Sequence, residues 1–129
     1  MRVLISADPE IPVPPRTYGG IERIVEALVT ALQNRGHSVA LIANPQSTCR
    51  ADVFYGWSGL RSQRHIDSVR NMYALHAATC TFKPDVLHSF SRMLYMLPLM
   101  PSRLPKIMTF EREPTKRLYI WVRLFVMDR

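Results

Sequence analysis

Tyr18-Gly19-Gly20-Ile21-Glu22-Arg23 is the stretch of this 129-residue chain best suited to chemistry. Two glycines where a loop hands over to a helix leave backbone N–H groups uncovered by any Cβ. Those groups point along the positive end of the helix dipole, a site for a phosphate or another anion. Arg23 adds a guanidinium that suits a phosphate oxygen, with a solvated base as its plainer reading. Glu22 reads as an exposed first-turn acid. A second group is His88 with Glu111, Arg112 and Glu113, which close or follow the third and fourth predicted strands. That edge is where open α/β sheets bind ligands, so a carboxylate, guanidinium or imidazole there is a candidate substrate contact. A surface ion pair and a structural histidine are the plainer alternatives. Ser6, Asp8 and Glu10 border the same edge.

The elements that must position these groups follow from hydrophobic patterning. Arg2 to Ala7 is a near-continuous apolar run, as in parallel strands covered on both faces. A loop stiffened by Pro9, Pro12, Pro14 and Pro15 follows. A helix is predicted from Gly20 to Arg35, with Ile21, Ile24, Val25, Leu28, Val29 and Leu32 on one face, ended by a left-handed Gly36. Ser38 to Ala43 makes a second buried strand and completes a right-handed βαβ unit. Residues Asn44 to Arg64 read as a polar loop, which Phe54, Tyr55 and Trp57 pack, with stacking on a sugar or lipid as the alternative. A second helix spans His65 to Phe82, with Ile66, Val69, Met72, Tyr73 and Ala77 as its apolar face, and Pro84 closes it. Strands follow at Asp85 to Phe90 and Lys106 to Phe110, with a short helix at Arg92 to Leu97 between them. Leu118 to Met127 is apolar nearly all round, the pattern of a helix covered on several sides.

Composition narrows the function classes. A formal charge of +7 suits anionic ligands or a membrane surface, but the arginines are spread along the chain and no RNP, zinc-finger or homeodomain pattern occurs. Nucleic acid is therefore not an expected partner. Cys49 and Cys80 form no C-x-x-C pair, and His37, His65 and His76 sit at no metal-ligand spacing, so no metal is expected. The first residues read as a strand rather than a signal peptide, and no apolar run reaches the roughly 18 residues of a membrane span. A cytoplasmic location is expected, with peripheral contact at the inner membrane face. No Gly-Lys-Ser/Thr follows the glycines, which excludes a P-loop. The dinucleotide fingerprint is excluded too, because a proline-rich loop separates the first strand from Gly19.

Four pieces in order carry a family likeness: Tyr18 to Val25, Leu32 to Val39, Pro84 to Ser89, and Pro105 to Phe110. With them the chain resembles the N-terminal domain of GT-B glycosyltransferases, family 4, the retaining, nucleotide-sugar-dependent group. The resemblance implies an α/β fold, a Rossmann-like parallel sheet with helices on both faces, forming one half of a GT-B architecture. It implies that Gly19 and Gly20 approach the donor diphosphate, where Arg23 is the candidate phosphate partner, and that this domain holds the acceptor. The strand-edge groups are then the candidates for that task, His88 and Glu111 in catalytic roles and Arg112 and Glu113 in acceptor binding. Family members often carry a histidine where this chain has Glu111; a carboxylate there accepts hydrogen bonds from sugar hydroxyls instead.

The organisation expected on this basis is an acceptor-side domain over residues 1–113 and an apolar, basic C-terminal helix over 114–129 that begins a missing continuation. The C-terminal nucleotide-sugar domain is then the absent partner, and this chain alone is an inactive fragment. Its substrates are a nucleotide-sugar co-substrate and a carbohydrate or lipid-linked acceptor. The second reading, from another class, is a non-catalytic accessory module that docks on a membrane or a partner subunit through Lys116 to Met127.

Overall fold

The computed structural model describes residues 1–61 and 64–109. Within them five strands form one all-parallel sheet: β1 (Arg2–Ser6), β2 (Ser38–Ala43), β3 (Val53–Gly56), β4 (Val86–Ser89) and β5 (Lys106–Met108), in the spatial order β3-β2-β1-β4-β5. Helix α1 (Gly20–Asn34) links β1 to β2, and α2 (His65–Phe82) links β3 to β4. The expected α/β sheet with helices on both faces is what the chain forms.

Strand alternation sorts the core into two layers. Val3, Ile5, Val39, Leu41 and Ala43 pack with Val25 and Val29 of α1 on one face. Leu4, Ala40, Ile42 and Leu87 pack on the other with Leu75, Ala78 and Phe82 of α2 and with Tyr95, Met96 and Leu99. Both faces of β1 and β2 are sealed, which is why these strands read as unbroken apolar runs. Gly36 ends the first helical segment at φ +87°, and Arg2 clamps the far end of α2 by donating to the Phe82 carbonyl and stacking 4.1 Å over its ring.

Four expectations need correction. Strand β3 lies inside the stretch read as a polar loop. Its burial is slight and its length four residues, so no alternating pattern announces it. The short helix is a 3-10 helix, Met93–Leu99, which runs through Pro98 because i→i+3 bonding tolerates a missing N–H better than an α-helix interior does. The apolar face of α1 is narrower than its sequence suggests, since Ile24 is exposed.

The fourth correction concerns α2, whose ends lie where the sequence puts them but whose rotation does not. It buries Asp67, Ser68, Asn71, Leu75, Ala78 and Phe82, while Ile66, Val69 and Tyr73 face outward. The cause is the preceding loop. Gly59 is buried, its N–H donates to Asn71 Oδ1 at 2.9 Å, and its carbonyl accepts from Asn71 Nδ2 at 2.8 Å. Asp67 Oδ2 accepts from the Arg61 N–H at 3.2 Å. Buried backbone groups require partners, and satisfying them turns the polar side of the helix inward.

Candidate functional site

The sheet order creates one position where the chain leaves in opposite directions: from β1 it proceeds to β2 and β3 on one side, and later returns to β4 and β5 on the other. Open α/β sheets bind ligands outside the carboxyl ends of the strands at this switch. Here the crevice lies between the ends of β1 and β4. The ladder continues one residue past both strands, through Ala7 N–H to Ile42 O at 2.9 Å and Phe90 N–H to Ser6 O at 2.8 Å. Asp8 then follows β1, and Ser91 and Arg92 follow β4.

Its floor is a triangle of buried hydroxyls. The Ser6 Oγ is 2.9 Å from that of Ser89 and 3.0 Å from that of Ser91, and the latter two are 3.1 Å apart. Three hydroxyls bonding one another satisfy their polarity without charge, and they lock the ends of β1 and β4 in register. Trp57 closes one side: its indole N–H donates to the Ala7 carbonyl at 2.7 Å and its ring lies 5.1 Å from Tyr95. Of the three aromatics singled out in the sequence, Trp57 is therefore core, Tyr55 packs partly against it, and Phe54 is exposed.

Asp8 is the half-buried carboxyl at this edge. Burial pushes its pKa up, an N–H bond from Glu10 at 2.8 Å pulls it down, the Glu10 charge raises it, and the Arg92 guanidinium lowers it. A carboxyl with a guanidinium across the crevice can hold vicinal hydroxyls, one by accepting and one by donating.

The helix mouth differs from the sequence expectation. Gly19 is the N-cap residue of α1, at φ +152° and ψ +84°, with no side-chain cap. Glu22 is not an exposed acid: it is only 4% accessible, and its Oε2 lies 2.6 Å from where a Gly19 Cβ would stand. The reason is electrostatic, because a carboxylate is stabilised at the positive end of the helix. Gly19 thus makes room for a protein anion. Gly20 is the member of the pair that faces outward, exposed and with nothing within 4 Å of its Cβ direction. Arg23 is exposed and donates to the Thr17 carbonyl at 3.3 Å, which keeps its guanidinium on the same loop.

His88 sits one residue before the end of β4, in register with Ile5 and Ile107. Its ring stacks 4.4 Å from Phe90, and Nε2 shares a 2.7 Å hydrogen bond with the Thr109 hydroxyl. Burial lowers its pKa, which favours the neutral imidazole. The register places it on the α1 side of the sheet. Glu111, Arg112 and Glu113 lie outside the described residues, as does the segment 114–129. Among the described residues, no group of three His, Cys, Asp or Glu side chains could hold a metal ion. Burial first, and then the Glu26 charge, push the Cys49 thiol up to about 11, which leaves it a poor nucleophile.

Ser89, Ser91 and Arg92 were not singled out in the sequence. Serines carry no motif, and only the return of β4 to the side of β1 brings Ser89 and Ser91 onto Ser6 and the Arg92 charge near Asp8.

The family description Glycosyltransferase Family 4 matches residues 18–123, a span that includes the glycine pair, β4 and β5. No curated protein matches the chain. The matched span is well over half the chain and its described part includes strands of the Rossmann-like sheet, so the chain belongs to Glycosyltransferase Family 4, transferases that move a sugar from a donor to an acceptor, and carries the N-terminal domain of that GT-B architecture.

Proposed function

We propose that residues 1–113 form the acceptor-side domain of a retaining, metal-independent glycosyltransferase that uses a nucleotide-sugar donor. One observation supports this above the others: the outward-facing Gly20 at the start of α1 and the switch-point crevice of Asp8, Ser91 and Arg92 both follow from the carboxyl end of β1 or its neighbour β4. In the transfer the acceptor hydroxyl oxygen forms a bond to the anomeric carbon on the face that the diphosphate leaves, and its proton passes to an oxygen of the departing diphosphate. The anomeric carbon–oxygen bond to the diphosphate breaks, and the diphosphate leaves with the electron pair. The leaving group needs N–H donors and the acceptor needs fixing in place. The Gly20 end of α1 takes the first task, with Arg23 beside it. Asp8 and Arg92 take the second by holding acceptor hydroxyls, together with His88 and with Glu111, Arg112 and Glu113 of the segment that follows β5. Nucleotide recognition falls to a second domain, so the chain incubated alone with nucleotide sugars gives no catalytic release of nucleotide.

Titration with inorganic pyrophosphate tests the helix mouth. Saturable binding that is lost in Gly20→Val supports the reading. Equal binding by the native chain and the variant removes Gly20 from the mechanism. Turnover by the chain alone would overturn the division of labour between domains.

Among the described residues no helix is long and apolar enough to cross a membrane. The accessory-module reading through Lys116 to Met127 rests on residues outside the described ones.

A further inference from the structure

We infer that His76 and Cys80 form one half of a zinc site, which a second copy of this chain completes across a two-fold axis. The two residues stand four positions apart on α2 and both are exposed, so their side chains share one outer face of the helix. Helical side chains at this spacing can grip one metal ion together. Cys80 Sγ lies 3.7 Å from His76 Nε2. Zinc held tetrahedrally by a thiolate at about 2.3 Å and an imidazole nitrogen at about 2.1 Å sets those two atoms about 3.6 Å apart. The pair thus already stands at ligand separation, and the ion replaces the thiol proton on binding. Arg2 fixes this end of α2 through the Phe82 carbonyl and ring, so little ordering is left for the metal to impose.

The two missing ligands identify the partner. Two ligands make no site within one chain, in keeping with the lack of any group of three among the described residues. The other thiol and imidazoles of the chain are Cys49, His37, His65 and His88. Cys49 and His88 lie on the α1 side of the sheet, and His37 stands beside the amino terminus. His65 begins α2, about 16 Å along the helix from His76. A second copy brings the same His and Cys, and an isologous contact joins the two pairs into a closed Cys2His2 set, the pattern of a structural zinc. Two thiolates balance the zinc charge, so the bridge adds nothing to the +7 that each chain carries. Ala77 and Thr81 are exposed beside the pair and small enough to let a second helix approach. Tyr73, 72% exposed one turn earlier, and an open cavity of about 330 Å³ that Tyr73 and His76 help line offer that copy apolar surface to cover. The end of α2 lies at the amino ends of the strands, where the Asp85 N–H donates to the Arg2 carbonyl at 2.7 Å. That edge is opposite the switch-point crevice, so the site is independent of the sugar-transfer reading.

Titration of the full chain, kept reduced with a phosphine, with cobalt(II) and then zinc tests this. Cobalt(II) is expected to develop the visible bands of tetrahedral coordination and a thiolate charge-transfer band, to saturate at one metal per two chains, and to be displaced by zinc. Light scattering is expected to show a dimer with zinc and a monomer with EDTA. Cys80→Ser and His76→Ala should each weaken zinc binding beyond the roughly tenfold that loss of an outer-shell partner costs, and should abolish the dimer. Cys49→Ser should change neither. His76 and Cys80 are exposed, and an unchanged circular dichroism spectrum confirms that each variant folds. The proposal is overturned by saturation at one metal per chain, by a cobalt(II) spectrum without the thiolate band, or by equal zinc affinity in native chain and Cys80→Ser. A dimer that persists in EDTA, or no zinc binding at all, also overturns it.

Discussion

Gly19 and Glu22 fit together as a backbone without a side chain beneath a carboxylate: a Cβ on Gly19 would stand 2.6 Å from Glu22 Oε2 and 2.9 Å from the Pro15 Cβ. The φ of +152° at Gly19 adds backbone strain for any other residue. Gly19→Ala should therefore destabilise by roughly 1–3 kcal/mol or more, read as a lower urea midpoint. Gly20→Ala, with open space around its Cβ, should lie within about 1 kcal/mol of native. Equal losses at the two positions would show that the pair does not divide its roles in this way.

Asp8 should give a pH-dependent stability of defined sign. Its folded pKa is raised above the ordinary 3.8, so the folded state holds the proton more tightly. The contribution is present below that value and is lost as pH rises through the folded pKa. Asp8→Asn keeps an oxygen for the Glu10 N–H and removes the charge. Relative to native, the variant should gain stability as pH rises from the carboxyl range toward neutrality. Parallel denaturation curves at both ends of that window would refute the effect.

His88 has the opposite linkage. Burial depresses its pKa below 6.5, so unfolding exposes a group that binds a proton more readily. Stability from this group is complete above 6.5 and is lost as pH falls toward the folded value. His88→Phe preserves an aromatic ring against Phe90 and should flatten that acid-side slope. Urea midpoints measured across the interval check it.

Asn71 carries the loop before α2 through both of its amide atoms. Asn71→Leu would strand the N–H and carbonyl of buried Gly59, at a cost of roughly 2–5 kcal/mol. Gly59→Ala should be comparably severe, because its Cβ would lie 2.5 Å from the Asp67 carbonyl oxygen. A shift of the thermal midpoint below a few degrees in Asn71→Leu would contradict this pairing.

Periodicity and punctuation made the framework legible. Apolar runs marked β1 and β2, the glycine pair and Gly36 bracketed α1, and Pro84 stopped α2. The rotation of α2 was not legible, since counting apolar residues cannot reveal that Gly59 needs an amide and Arg61 a carboxylate from that helix. Glu22 reads as a solvent-facing acid until the empty space above Gly19 is seen. The crevice residues Ser89, Ser91 and Arg92 depend on where β4 returns, and strand order is a long-range property that local patterning does not encode.

The central place of β1 has a cost during synthesis. Val3 pairs with Val39 on one side but with Val86 on the other, 83 positions later. As the chain emerges from the ribosome, β1 must wait with one hydrogen-bonding edge bare until β4 appears. Nascent chains stopped before β4 should thus be the ones that chaperones hold and proteases find.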